Sequence, residues 1–373
     1  MRVLIVDHVY PLFIRGLYAA NPELATASYL HQRQTIDDAL FSETQHEVRA
    51  LERLGDQAAD HLVNAAELNL AWATEAGMSL PRSWRPSIRL RRRWLPWPSP
   101  PTARGASVAA LLARVEAFKP DVVHVQCVDG LRPAAVRELR SRVRFVSGQI
   151  AAPVPNWVDL KAYDLLISSL PNFVQRFRRE GVDAEWLPLA FEPLISRTVR
   201  HERDTSVSFV GSLSPAHGDR IEMLEHVADS VPIDVWSADL RRLSAKSPLR
   251  RHGHGSAWGI DMYRVLARSR ITINHHIDVA DGYANNLRLY EATGMGCLLV
   301  TDAGRNLGDL FEVGREVVTY GDARECRDVV AYYVDHPEEA DEIAAAGRAR
   351  TLRDHTWDDR MARLSTLLAS RLS

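Results

Sequence analysis

Apolar positions along the chain fall into two kinds of run, and their alternation predicts a layered protein. Val3-Leu-Ile-Val6 is a short unbroken apolar run closed by Asp7, the pattern of a parallel strand buried on both faces. Lys119-Pro120 introduces a second such run, Asp121-Val-Val-His-Val-Gln126, and further strands are expected at 143–147, 165–168 and 185–189. Between the first two strands, apolar residues recur at three- and four-residue steps (Val48, Leu51, Leu54; Leu62, Ala66, Leu70). That spacing predicts a long helical region over residues 26–76, then a loop and a helix near 108–118.

The pattern restarts after Arg197–Thr205, a polar and charged stretch that reads as a linker. Ser206-Val-Ser-Phe-Val210 is a new first strand, followed by Gly211-Ser-Leu-Ser-Pro-Ala-His-Gly218 and a helix from Asp219. Strands are expected at 233–236, 270–274, 297–301 and 317–319, separated by helical patterns. The fold class is therefore α/β, with two Rossmann-like doubly wound domains facing a cleft and ligands at the carboxyl ends of the strands. The expected division is 1–196 for an acceptor-side domain, 197–205 for the linker and 206–373 for a nucleotide-binding domain, with the last helix crossing back.

Length agrees with that division, since 373 residues exceed what one hydrophobic core holds. With 46 Lys and Arg against 48 Asp and Glu, no global field recruits nucleic acid. Cys127, Cys297 and Cys326 lie far apart without metal-ligand spacing, which speaks against a disulfide framework and a structural zinc site. The first apolar run is too short for a signal peptide, and no run approaches the length of a membrane span, so a soluble cytoplasmic protein is expected. One segment stands apart. Pro81–Gly105 interleaves Arg82, Arg85, Arg89, Arg91, Arg92, Arg93 and Arg104 with Trp84, Trp94 and Trp97, and contains no acid. It reads either as a solvated connector or as a contact for an anionic membrane surface or a lipid-linked acceptor.

The turn after the first strand, Asp7-His-Val-Tyr-Pro-Leu-Phe13, is not the glycine-rich dinucleotide fingerprint, and the P-loop, nucleophile-elbow and HExxH motifs are absent. The informative stretch runs from Asp281 to Asp302. Gly282 supplies a tight turn, and Asn285 or Asn286 can cap the helix that follows, whose N-terminus is a seat for a diphosphate. Arg288 and Glu291, three apart, share a helix face. They are either a solvated ion pair or a guanidinium for phosphate beside a carboxylate for a ribose diol. His275 and His276 follow a strand and would reach the cleft rim, but no carboxylate pair at ligand spacing suggests a metal there.

Phe209-Val-Gly-Ser212, Asn286-x-Arg-x-Tyr-Glu-Ala292, Gly294-Met-Gly296 and Leu299-Val-Thr-Asp302 resemble the C-terminal half of the B-fold glycosyltransferases, specifically those similar to the spore-maturation protein CgeB. Ala162–Pro171, Glu185–Ala190 and the tail from His336 to Trp357 extend the resemblance, which is weak before residue 160. It implies transfer of a sugar from a nucleotide-sugar donor to a hydroxyl of a small-molecule, glycan or lipid-linked acceptor, with no metal cofactor. It also implies that Glu291 holds the ribose and that Gly211, Ser212 and the loop to Arg220 lie under the diphosphate. Arg220 is either the basic residue of that loop or a surface arginine at a helix start.

Two positions depart from the family pattern. Relatives carry a glutamate eight positions before the one matching Glu291, where this chain has Tyr283; Asp281 is near, out of register, and is a candidate catalytic acid. Relatives also show His-x-His where this chain has His124-Val-Gln126. Asp7 and Gln126 are candidate contacts to acceptor or donor sugar, and His8 is either the base that deprotonates the acceptor or a structural strand-end histidine. Two other functions stay open: a nucleotide-sugar epimerase of the same fold, and an inactive sugar-nucleotide-binding scaffold.

Overall fold

The structure is a computed structural model that describes residues 1–41, 43–78, 87–91, 95–99, 104–214, 218–276 and 280–373. Its strands are β1 (Arg2–Asp7), β2 (Gln57–Leu62), β3 (Ser87–Arg91), β4 (Leu95–Ser99), β5 (Val122–Val125), β6 (Phe145–Gln149) and β7 (Leu165–Ser168). They continue with β8 (Ala184–Trp186), β9 (Thr205–Val210), β10 (Asp234–Trp236), β11 (Gly253–Gly255), β12 (Ser269–Asn274), β13 (Leu298–Asp302) and β14 (Val318–Tyr320). The chain forms two compact units. Unit 1 is Met1–Ile167 with Arg176–Glu185 and Ser365–Ser373; unit 2 is Ser168–Gln175 with Trp186–Leu364.

The division thus falls at other points than the linker expected at 197–205. Its cause is Phe191, whose backbone N–H donates to His355 O and whose carbonyl accepts from Trp357 N–H. A Cβ on Gly294 would lie 2.5 Å from the Phe191 ring, so only glycine admits this ring against the helix Arg288–Met295. The segment before the expected linker is therefore part of unit 2's core.

In unit 1 the sheet order is β2-β1-β5-β6-β7-β8, parallel wherever its register is described. Val3, Leu4, Ile5 and Val6 are at most 1% exposed, as a central strand requires. Burying each such side chain contributes roughly 1.5–3 kcal/mol. The long helical region expected over 26–76 is instead three helices, Tyr29–Asp38, Thr44–Arg53 and Ala66–Glu75, interrupted by β2. Gln57-Ala-Ala-Asp-His-Leu62 lacks β-branched residues; it is an edge strand held by its register against β1, from Arg2 opposite Gln57 to Asp7 opposite Leu62. Tertiary pairing overrides the local pattern there.

Unit 2 has the order β11-β10-β9-β12-β13-β14, also parallel, over a core that includes Val207, Phe209, Ile271, Ile273, Leu298 and Val300. Here the strands expected from the apolar runs are present, and β11 is added at the edge. In both sheets the strand order reverses once, between β1 and β5 in unit 1 and between β9 and β12 in unit 2. Such switch points open a crevice outside the carboxyl ends of the strands, where ligands of doubly wound sheets bind.

Among the described residues no helix is long and apolar enough to cross a membrane. Of the Arg- and Trp-rich segment 81–105, only the backbone of the antiparallel pair β3–β4 and the start of the helix Arg104–Phe118 are described. The membrane or lipid contact expected of it lies outside the described residues.

Candidate functional site

At the switch point of unit 2, Gly211 and Ser212 follow β9, and His275 and His276 follow β12. Ser212 Oγ donates to Asp239 Oδ2 at 2.9 Å, which fixes the loop after β9. Arg220, near the start of the helix Gly218–Ala228, turns inward and is 9% exposed. It donates to Ser212 O at 3.1 Å and to His275 O, joining the two loops, so it is not a surface arginine. Its Nε is buried without a partner, and among the described residues it makes no ion pair.

The helix Arg288–Met295 stands beside these loops. Arg288 Nη1 donates to Glu291 Oε2 at 2.8 Å while its Nη2 donates to Val210 O at 3.1 Å, at the end of β9. Glu291 is 7% exposed; burial pushes its carboxyl up, against the lowering pull of Arg288 and of the Tyr263 hydroxyl 3.4 Å from Oε1. The pair is therefore buried, not solvated. Asn286, one residue before the N-cap Leu287, accepts from Leu289 N–H at 3.3 Å and pairs with Asn274, its Nδ2 lying 2.8 Å from Asn274 Oδ1. Of the two asparagines proposed as caps, Asn286 thus takes that part, while Asn285 is only partly buried.

Asp281 and Tyr283 belong to a different neighbourhood. Asp281 is exposed with φ 50°, and its carboxylate lies 3.7 Å from Arg305, whose guanidinium also stands 5.7 Å from the Tyr283 ring centre. Gly282 has φ 74°, the left-handed turn expected of it. Asn306 clamps the loop by accepting from Ala284 N–H at 2.7 Å and donating to Ala284 O at 3.1 Å.

In unit 1 the corresponding position holds Asp7 at the end of β1 and His8 after it, and Gln126, Cys127 and Asp129 after β5. Asn64 fixes the first of these loops, accepting from Val9 N–H at 2.8 Å and donating back to Val9 O. A cavity of about 430 Å³ opens here, lined by His8, Asn64, Asp129, Leu131, Arg132 and Trp157 among others. The Arg132 guanidinium lies 4.2 Å from the centre of the Trp157 ring, a cation–π contact. His8 Nδ1 is buried without a partner.

Asp7 is pushed up to about 6, by burial first, with Asp60 and Asp129 adding to it. Gln126 is partly buried; its Nε2 donates to Glu47 Oε1, and its Oε1 has no partner. Glu47 is itself 1% exposed, and burial, with Glu43, Asp7 and Asp60 nearby, pushes its carboxyl well up. His124 is buried against Ser147 at 2.8 Å, and burial pushes it down to about 4.

Sequence reasoning missed Tyr263, Asn274, Asp239 and Glu47, which reach the site across the sheet and carry no local signal. It also missed that ligand atoms of His8, Cys127 and Asp129 lie within 4.8 Å of one another. In that trio the Cys127 thiol donates to Asp129 Oδ1 at 2.6 Å.

Residues 220–366 match a family model described as glycosyl transferase-like, which contains Arg220, Arg288 and Glu291. Comparison with curated proteins gives no match. HepE from Anabaena, solved in complex with UDP-glucose, is similar at TM-score 0.63 and 11% identity over 99% of this chain and 100% of that one. Sucrose-phosphate synthase from Thermosynechococcus elongatus follows at TM-score 0.59 and 12% identity over 99% of both chains. A protein described as a UDP-N-acetylglucosamine 2-epimerase from Listeria monocytogenes has TM-score 0.54 and 13% identity over 99% of this chain and 96% of that one. These relatives bear on the fold and not on the finer likeness to CgeB. The fold of the chain is that of the B-fold glycosyltransferases, and its residues 220–366 match the glycosyl transferase-like family model.

Proposed function

We propose that the protein transfers a sugar from a UDP-sugar to a hydroxyl of an acceptor held in the cavity of unit 1, without a metal cofactor. The observation that carries this reading is the buried Arg288–Glu291 pair with Arg220 beside it, at the switch point of the glycosyl transferase-like domain. Glu291 accepts the ribose hydroxyls, and Arg220 places its unpaired charge under the diphosphate, where negative charge grows as the glycosidic bond breaks. That role of Arg220 is what makes a metal unnecessary. The complex of HepE with UDP-glucose supports uridine as the base. In unit 1, His8 takes the proton from the acceptor hydroxyl, since its ring lines the cavity and Asn64 fixes its loop.

The epimerase alternative has a relative of lower structural similarity, 0.54 against 0.63. A thermal-shift panel of UDP, GDP, dTDP and CMP without metal tests the proposal. UDP should raise the melting temperature by several degrees through mass action, and Glu291→Ala should abolish the shift. No shift with any nucleotide at millimolar concentration would overturn the donor assignment. Nucleotide binding without UDP release from any UDP-sugar would mark an inactive scaffold.

A further inference from the structure

We propose that His276, oriented by Asp302, is a second hydrogen-bond donor to the departing diphosphate, beside Arg220. The inference rests on the donor reading above. His276 follows β12 directly, and its side chain is 6% exposed. Its Nδ1 lies 2.8 Å from Asp302 Oδ1, and its backbone N–H donates to the same oxygen at 3.0 Å. Asp302 closes β13, the next strand of the sheet. Burial works against its charge, yet the bonds from His276 outweigh burial and hold the carboxyl below its usual range.

This arrangement leaves the ring one free position. With Nδ1 held at a carboxylate, the ring plane is set, and Nε2 is the remaining group, a donor when both ring nitrogens carry hydrogen. Nε2 is buried without a partner. A buried N–H left unsatisfied costs stability, and a ligand oxygen would remove that cost. Arg220 supplies the second half of the argument. It donates to the carbonyl of His275, the residue before His276, and its own Nε is likewise buried and unpartnered. Two nitrogen groups without partners therefore sit at the switch point, one on the guanidinium that reaches in from the helix Gly218–Ala228 and one on an imidazole braced by a carboxylate. An anion with several oxygens matches both at once. As the bond from the anomeric carbon to the phosphate oxygen breaks, an N–H at this place stabilises the growing charge by hydrogen bonding and stays on the ring.

If the His276–Asp302 contact only tied β12 to β13, nucleotide recognition would not depend on it. Calorimetry of the full chain with UDP and with uridine separates the two roles. His276→Ala should weaken UDP binding about tenfold or more, the worth of a charge-assisted hydrogen bond, and leave uridine affinity unchanged. His276→Gln should recover part of the loss, because an amide N–H reaches the phosphate without charge. Asp302→Asn, which frees the ring, should give an intermediate loss for UDP only. An unchanged ratio of UDP to uridine affinity in both His276 variants would overturn the inference, and His276→Gln carries the comparison if His276→Ala does not fold. Wild-type protein that binds no nucleoside diphosphate would instead sink the donor reading itself. If UDP binds and Glu291→Ala weakens it while the His276 variants bind normally, this inference alone fails.

Discussion

At the switch point of unit 2, Arg288 is paired with Glu291, Asn286 with Asn274 and His276 with Asp302. At the switch point of unit 1, burial moves the polar groups away from their usual ranges: the Asp7 and Glu47 carboxyls upward, the His124 imidazole downward. Both sheets use one asparagine to clamp the neighbouring loop, Asn306 on Ala284 and Asn64 on Val9. The loops are thus equally braced, and the difference lies in the charges. Unit 2 presents polar groups already paired with one another before any ligand arrives, which suits a site that must meet a fixed anionic ligand. Unit 1 keeps Asp7 near a change of protonation, at about 6, which suits a site that moves a proton.

The largest expected effect comes from breaking the paired set. Glu291→Ala leaves the guanidinium of Arg288, 14% exposed, without its carboxylate. Removing one member of a buried ion pair costs about 3–5 kcal/mol, and the low end applies because Arg288 keeps its bond to Val210 O. Urea denaturation should show a loss of about 3 kcal/mol in unit 2. A loss under about 0.5 kcal/mol would place the pair among solvated surface contacts and erase the contrast between the units.

Acidification should separate the units next. Burial pushes His46 and His61 of unit 1 down to about 3 and His124 to about 4, whereas in unit 2 His355 is pushed to about 4 and His275 is lowered. Each of these is neutral when folded at neutral pH and takes up a proton in the unfolded chain below the ordinary histidine value of 6.5. Their stabilisation is complete above that value and is lost as pH falls toward 4. One pH unit below the unfolded value, His46, His61, His124 and His355 each contribute a loss of about 1 kcal/mol. Hydrogen exchange at pH 5.5 against pH 7 should therefore open β1, β2 and β5 more than β9, β12 and β13. Equal change in both sheets would mean that these histidines do not set the acid response.

How much of this contrast the sequence reveals depends on distance along the chain. The central strands are legible because Val3–Val6 and Val122, Val123 and Val125 are unbroken apolar sets that only a doubly covered sheet can bury. The edge strands β2 and β11 are not: Gln57–Leu62 and Gly253-His-Gly255 need one neighbour only and carry no apolar alternation. In the site, Arg288 and Glu291 are legible because three residues of helix bring them together. Asp302 lies 26 positions from His276, and Glu47 lies 79 from Gln126; such partners are set by sheet order, which local spacing does not encode. The family motif includes Asp302 but says nothing of what it holds.

Asp7 offers the smallest and most specific test. Its folded carboxyl takes up a proton at about 6, the unfolded one at 3.8. Between those values the folded state binds more protons, so stability falls as pH rises through that window and stays reduced above it. Neutral folded protein thus carries a buried charge that the sheet does not favour. Asp7→Asn removes the charge and keeps the shape, so it should stabilise unit 1 at pH 8 by about 1 kcal/mol, or about 2–4 °C in melting temperature. At pH 3.5, where wild-type Asp7 is protonated in both states, the gain should vanish. A gain of equal size at both pH values would trace the effect to hydrogen bonding and remove Asp7 from the titrating set. A gain confined to high pH would establish that the end of β1 is kept under electrostatic strain, next to the histidine proposed to accept the acceptor's proton.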